Sequence, residues 1–267
     1  MPFSDLHTHT VFSDGRNTIE EMVLAAIGKN MVSIGISDHS YTEFDLRYCM
    51  KKEMEDAYVQ EIRRVKEKYK DQIQVYVGLE YDGYSELDNR EEFDYLIGDC
   101  HYIKTWDGFH SVDHAKDEQW QAIETYFNGD AMAYARAYYE TCVDRTRAHC
   151  PDILGHFDVV VKHNHIDETS SAYRNMAVDA MVACLEITPV VEMNTGSITR
   201  KWRDTAFPDT YLLKEVCAHG GRVILSSDSH GTDTLTGGFR DAKEILRTAG
   251  FRSMLVFRDG QFQETGL

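Results

Sequence analysis

With 267 residues, 28 Lys plus Arg against 45 Asp plus Glu and a net charge of −17, the chain is acidic and long enough for two ordinary domains or one large α/β barrel. Such a charge argues against a stable nucleic-acid partner, which needs clustered cations, yet it leaves room for a small phosphorylated substrate recruited through bound metal ions. Neither an apolar run of about 18 residues nor a signal-like N-terminus is present, and six scattered cysteines form no CxxC pair; no membrane association, a cytoplasmic location and reduced thiols are expected.

Runs rich in Val, Ile, Leu and Tyr predict strands over residues 3–9, 32–37, 74–80, 95–101, 153–157, 190–194 and 222–227. Helical patterns fall between them. Residues 18–29 open with a capping box, Thr18 and Glu21, and carry Met22, Val23, Ala26 and Ile27 on one face. Residues 51–70 repeat Met54, Tyr58, Ile62, Val65 and Tyr69 at helical spacing, with a charged outer face. Residues 118–149 fit two helices parted at Asn128-Gly129. Strands over 253–257 and 261–265 flank Arg258-Asp259-Gly260 as a closing hairpin. With four prolines, no low-complexity tract and no repeat, a single domain spanning 1–267 is expected. The alternation is that of an α/β fold, seven parallel strands plus a hairpin, which suggests a barrel.

Histidine placement carries the chemistry. His7, His9, His39, His101 and His156 sit at or just past predicted strand ends, and His230 follows another by a few residues. A barrel gathers its functional groups at the C-terminal ends of its strands, so these imidazoles would converge on one rim. A single strand-end His is more often a packed or exposed residue; six of them beside carboxylates point to a metal centre. His7 and His9, at i and i+2, share a strand face. Asp14 lies in a turn with Gly15, Glu80 ends an apolar run, and Asp228 precedes His230 by two. An isolated Asp14 would be an ordinary turn residue, and an isolated Glu80 is equally well a solvated loop residue.

In this order, His7-x-His9, Asp14, Ser37-Asp38-His39, Gly78-Leu79-Glu80, His101, Gly155-His156 and Ser227-Asp228-Ser229-His230 resemble the motif groups of the polymerase and histidinol phosphatase (PHP) superfamily. The resemblance runs from Asp5 to His230 and implies a distorted seven-stranded (βα) TIM-like barrel. It also implies a metal site of three divalent ions, zinc, manganese or iron, at the C-terminal strand ends, and hydrolysis of a phosphate ester. His7, His9, Glu80 and Asp228 would hold the first ion. Glu80 would bridge to a second with His101 and His156, and Asp14, His39 and His230 would hold the third. Mixed imidazole and carboxylate donors suit Zn²⁺, Mn²⁺ or Fe²⁺. Local segments such as Phe93-Asp94-Tyr95-Leu96-Ile97-Gly98 and Glu192-Met193-Asn194-Thr195-Gly196 resemble the histidinol-phosphatase branch. The segment Gly196-Ser197-Ile198-Thr199 is longer than that branch's approach to the basic pair, which leaves open whether Arg200 or Lys201 faces the site.

The implied reaction is hydrolysis of L-histidinol phosphate in histidine biosynthesis, with a metal-bridging hydroxide attacking phosphorus in line. Glu80 and Asp228 are the catalytic candidates, with either Asp228 or a metal-bound water as the proton donor to the leaving alkoxide. Arg200 is the candidate phosphate clamp, and Lys162 a weaker one. Glu43, Asp82 and Asp113 are candidates for the substrate's ammonium and imidazole. His110, His114, His163 and His165 are expected on the surface, the last two a minor metal candidate, and His149 and His219 are expected to be structural. The nearer alternative is a PHP phosphoesterase acting on nucleoside bisphosphates or nucleic-acid 3′ ends; the more distant is a non-enzymatic metal-dependent scaffold.

Overall fold

A computed structural model describes residues 3–267. In chain order its elements are β1 (Ser4–Asp5), α1 (Ile19–Gly28), β2 (Ser33–Ile36), α2 (Glu55–Tyr69), β3 (Gln74–Asp82), β4 (Tyr95–Asp99), β5 (Tyr102–Thr105), β6 (Gly108–Ser111), α3 (Lys116–Phe127) and α4 (Ala131–His149). There follow β7 (Ile153–Leu154), α5 (Ser171–Leu185), β8 (Val190–Asn194), α6 (Gly196–Thr199), α7 (Thr210–Ala218), β9 (Arg222–Ser226), α8 (Phe239–Ala249), β10 (Ser253–Arg258) and β11 (Gln261–Gly266).

Local chemistry accounts for the helices. Thr18 and Glu21 form the reciprocal capping box that starts α1, whose Met22, Val23 and Ala26 are buried. On α2, Tyr58, Ile62, Val65 and Tyr69 are buried as the spacing predicts, but Met54 is 39% exposed. Met54 ends a separate 3₁₀ turn before α2 and so falls out of the helix's phase. Asn128 and Gly129 take positive φ (53° and 78°), breaking the long helical stretch where the sequence puts the break.

The strands form one curled, largely parallel sheet in the order β1-β2-β3-β4-β7-β8-β9-β10-β11, with only β11 antiparallel to its neighbour. At the two far sides of the curl, Thr8 and Ser229 meet in a parallel bridge. The expectation of seven strands alternating with helices is corrected in three places. The sheet has nine strands, because both strands of the terminal hairpin join it. Only a 3₁₀ turn separates β3 from β4, and an additional hairpin, β5–β6, lies between β4 and α3. Strands β1 and β7 are two residues long, because the chain leaves the sheet early to carry the residues that follow.

Leu6, Tyr95, Ile97, Ile153, Ile224 and Leu255 pack inside the curl. Tyr95 crosses it beneath the rim, and a Cβ at Gly35 would lie 2.0 Å from its hydroxyl oxygen and one at Gly78 2.2 Å from its ring. Both glycines are required by this close approach. Helices α1 and α2 cover β2 and β3, while α4, α5, α7 and α8 cover the other outer face. The turn between β10 and β11 docks on β3, Gly260 N donating to Tyr76 Oη at 3.0 Å. It closes the end of the curl opposite the histidines.

Candidate metal centre

The parallel strands release their chains at one rim, and each release carries a polar side chain inward. His7 and His9 follow β1, with ring centroids 5.1 Å apart. The chain then folds back so tightly that a Cβ at Gly15 would lie 2.5 Å from the His9 backbone, which brings Asp14 beside that imidazole. Asp38 fixes this turn, accepting hydrogen bonds from the Thr10 amide and hydroxyl, each 2.7 Å. His39 pairs with Glu80 in an isolated parallel bridge after β2. Glu80 lies within β3, which runs two residues further than expected. His101 follows β4, His156 follows β7, and Asp228, at φ 49°, and His230 follow β9.

These nine side chains converge. Glu80 Oε2 lies 3.2 Å from His7 Nε2 and 3.4 Å from His9 Nε2, and Asp228 Oδ1 lies 3.9 Å and 3.3 Å from the same two atoms. The other Glu80 oxygen is 3.0 Å from His156 Nε2 and 3.4 Å from His101 Nε2, themselves 3.2 Å apart. Asp14 lies 3.2 Å from His230 Nε2 and 3.8 Å from His39 Nε2. His9 also approaches Asp14, at 3.8 Å.

A surrounding set of carboxylates aims the imidazoles, as such groups do around metal sites. Glu192, in the middle of β8, accepts from His7 Nδ1 at 2.9 Å and from the His156 amide at 2.7 Å. Asp99 lies 3.0 Å from His156 Nδ1, and Asp82 lies 3.5 Å from His101 Nδ1. The sequence reading missed Glu192 and Asp99 as functional residues; their signal was a carboxylate inside or ending an apolar strand, which is costly to bury without a partner. Asp82 is corrected: it stands buried behind His101 rather than in a substrate loop.

Burial opposes ionisation of Glu80, but the charges of His39 and His7 and hydrogen bonds from His101 and His156 hold its carboxyl well below the usual range. Burial, aided by the neighbouring His230 and His39, lowers His9 to about 3, so its ring is neutral and the lone pair of one nitrogen is available. His7 Nε2, both nitrogens of His9 and Glu80 Oε2 are buried and make no hydrogen bond. Convergent, unsatisfied imidazole and carboxylate donors are what divalent zinc, manganese or iron requires, so the residues fit the implied metals. Four overlapping groups have ligand atoms within 4.8 Å of one another: His9-Asp14-His39-His230, His7-Glu80-His156, His7-His9-Asp228 and His39-Glu80-His101.

Above the cluster opens a cavity of about 170 Å³ whose wall includes Tyr48, Asp113, Lys162, Arg200 and Trp202. Arg200, at the end of α6, faces it; Lys201 is exposed. The Arg200 guanidinium donates to Asp228 Oδ2 at 2.6 Å and lies 4.2 Å from the Trp202 ring centroid. Lys162 Nζ is 3.1 Å from Asp113 Oδ2 and 4.0 Å from that same centroid. Tyr48 meets the His39 ring edge-on at 4.6 Å. Neither Trp202 nor Tyr48 is marked out by the sequence.

Other candidates lie apart. Glu43 is exposed and does not line the cavity. His110 is a half-buried strand residue on β6, 3.1 Å from Asp107, and not a loop residue; His114 is exposed at the cavity edge. His163 and His165 bond separately to the carbonyls of Asp113 and Lys116, which leaves them outside the four ligand groups. His149 ends α4 with Nε2 bonded to Gly83 O, and His219 caps α7.

A family model for the PHP domain matches residues 5–195. A probable histidinol-phosphatase of Deinococcus radiodurans is 27% identical over 269 residues, covering 97% of this chain and 98% of that protein. A histidinol-phosphatase of Bacillus subtilis is 21% identical over 252 residues, covering 86% and 94%. The crystal structure of histidinol phosphate phosphatase from Lactococcus lactis, complexed with zinc, L-histidinol and phosphate, superposes with a TM-score of 0.74 at 22% identity, covering 98% of both chains. That likeness establishes a shared fold.

Proposed function

The chain belongs to the PHP domain family, and from that premise we propose that it is a metal-dependent phosphomonoesterase hydrolysing L-histidinol phosphate to L-histidinol and phosphate. The observation that carries the reading is the convergence of nine ligand-type side chains beneath a cavity walled by two cations. The substrate is the one named for relatives matched over nearly their whole length. The proposed assignment gives one ion to His7, His9, Glu80 and Asp228, a second to Glu80, His101 and His156, and a third to Asp14, His39 and His230. We take residues 1–267 as one domain, in which seven of the sheet's nine strands, from β1 round to β9, close into a distorted barrel through the Thr8–Ser229 bridge while β10 and β11 extend the sheet beyond it. A cytoplasmic setting accords with six free cysteines.

Divalent ions, when bound, supply an activated water and neutralise charge on the phosphoryl oxygens. The chain's own part is to bind and orient. Arg200 and Lys162 offer cations to the phosphate oxygens, Arg200 in a fork that can engage two at once. Arg200 is itself held by Asp228 and by the Trp202 face. Burial would raise Asp228, yet Arg200 and His7 hold it well below the usual carboxylate range. Asp228 therefore contributes charge and position, and the proton for the leaving alkoxide has another source. Glu192 and Asp99 keep the imidazoles of His7 and His156 in one orientation.

The test is phosphate release from L-histidinol phosphate by the purified protein, before and after chelation and Mn²⁺ or Zn²⁺ restoration, beside a 3′,5′-bisphosphonucleoside. Rapid, chelator-sensitive turnover of the first is the expected result. Hydrolysis of the nucleotide alone would keep the metal centre and overturn the substrate.

A further inference from the structure

We propose that Asp113 selects the substrate: its carboxylate receives the ammonium group of an aminated phosphomonoester while Lys162, its resting partner, turns to the phosphate. The inference rests on the phosphomonoesterase reading above and deepens it. Of the three acidic residues that the sequence offers for the substrate's cationic end, Glu43 is exposed outside the cavity and Asp82 is buried behind His101. Asp113 alone of these lines the cavity. The position already holds an ammonium: Lys162 Nζ sits 3.1 Å from Asp113 Oδ2 and 4.0 Å from the Trp202 ring centroid. An ammonium that touches both a carboxylate and an indole face is favoured by charge and by the ring quadrupole.

The carboxylate is held in place. The Ser111 hydroxyl accepts from the Asp113 and His114 amides, and His163 Nε2 bonds the Asp113 carbonyl at 3.0 Å. The pair is also largely withdrawn from water, with side-chain exposures of 12% for Lys162 and 20% for Asp113. Separating such a pair without replacement leaves an uncompensated charge, which is strongly unfavourable. A substrate carrying both phosphate and ammonium replaces both halves: its anion meets Lys162 and its cation meets Asp113. A phosphate ester without the amine draws Lys162 away and leaves Asp113 unpaired. Selection then comes from that penalty, as in sites that reject analogues lacking a required polar group.

The experiment compares the metal-loaded wild type with Asp113→Asn and Lys162→Met on L-histidinol phosphate and on its deaminated analogue, 3-(imidazol-4-yl)propyl phosphate, with inorganic phosphate as inhibitor. The wild type is expected to favour the aminated ester by about 30-fold or more in kcat/KM, the scale of one buried charge pair. Asp113→Asn should bring that ratio below about 3, chiefly through KM for the aminated ester. It should also tighten inhibition by inorganic phosphate several-fold, because Lys162 is released; mere structural damage would weaken both ligands. Lys162→Met should weaken both esters in parallel. The proposal is overturned if the wild type does not discriminate, or if Asp113→Asn lowers both esters alike and loosens phosphate. Should the wild type hydrolyse neither imidazole ester, the histidinol-phosphate reading falls. The inference is then decided on ethanolamine phosphate against propyl phosphate, by the same ratio.

Discussion

Glu80 reaches five imidazoles: its oxygens lie between 2.7 and 3.4 Å from nitrogens of His7, His9, His39, His101 and His156. A neutral amide there loses charge from two proposed ion sites at once. We expect Glu80→Gln to lower turnover by about a thousandfold or more, within the range for a group acting on metals and substrate together. Elemental analysis should also find metal lost, while His110→Ala, remote from the cluster, stays close to wild type. Full activity and metal content in Glu80→Gln would refute the bridging assignment. Glu192→Ala frees the ring of His7, and metal titration should show affinity lower by roughly 10–100-fold, as when orienting groups behind ligands are removed. The nine converging residues were legible because imidazoles and carboxylates at strand ends repeat one device. Glu192 was harder to read, since alternation along a fully buried strand such as Val190–Asn194 does not tell which side chain turns toward a neighbour's imidazole.

Tyr95 ties three strands together, its ring lying over the two glycines of β2 and β3 and its hydroxyl donating to the Leu6 carbonyl. A methyl group at Gly35 must displace backbone or ring. Overpacking of this kind costs about 1–3 kcal/mol, which in a protein of this size lowers the melting temperature by roughly 2–10 °C. Gly35→Ala and Gly78→Ala should each do so by thermal denaturation, and an unchanged melting temperature for both would remove Tyr95 from its role as a spacer. The sequence showed α1, α2, α3, α4 and most strands well because their apolar periods are long. It hid the hairpin β5–β6, whose two short strands, Tyr102–Thr105 and Gly108–Ser111, mix polar and aromatic residues around an exposed Trp106-Asp107 turn. It overextended β1 and β7, where Leu6–His9 and Gly155–Phe157 stay buried after the backbone has left the sheet.

Across the whole molecule, stability and pH meet at Asp158, which burial pushes from the ordinary 3.8 up to about 7 despite a hydrogen bond from the Asp209 amide. Between those values the native chain holds a proton that the unfolded chain has released. Stability from this group is therefore full below pH 4 and declines as pH rises through 7, by roughly 3–5 kcal/mol on linkage arithmetic. At saturating metal, Asp158→Asn should flatten the fall in melting temperature between pH 5 and 8; an unchanged slope would show that Asp158 is ionised throughout. No helix among the described residues is long and apolar enough to cross a membrane. The sequence separation of the rim residues also sets an order of events during synthesis. Glu80, His101 and His156 emerge well before Asp228 and His230, yet His7, His9 and Asp14, among the earliest residues made, wait for those two. On the proposed assignment, two of the three ions cannot find complete sites until the chain is nearly finished, so in a coupled translation assay activity should lag behind polypeptide completion and respond to metal added afterwards.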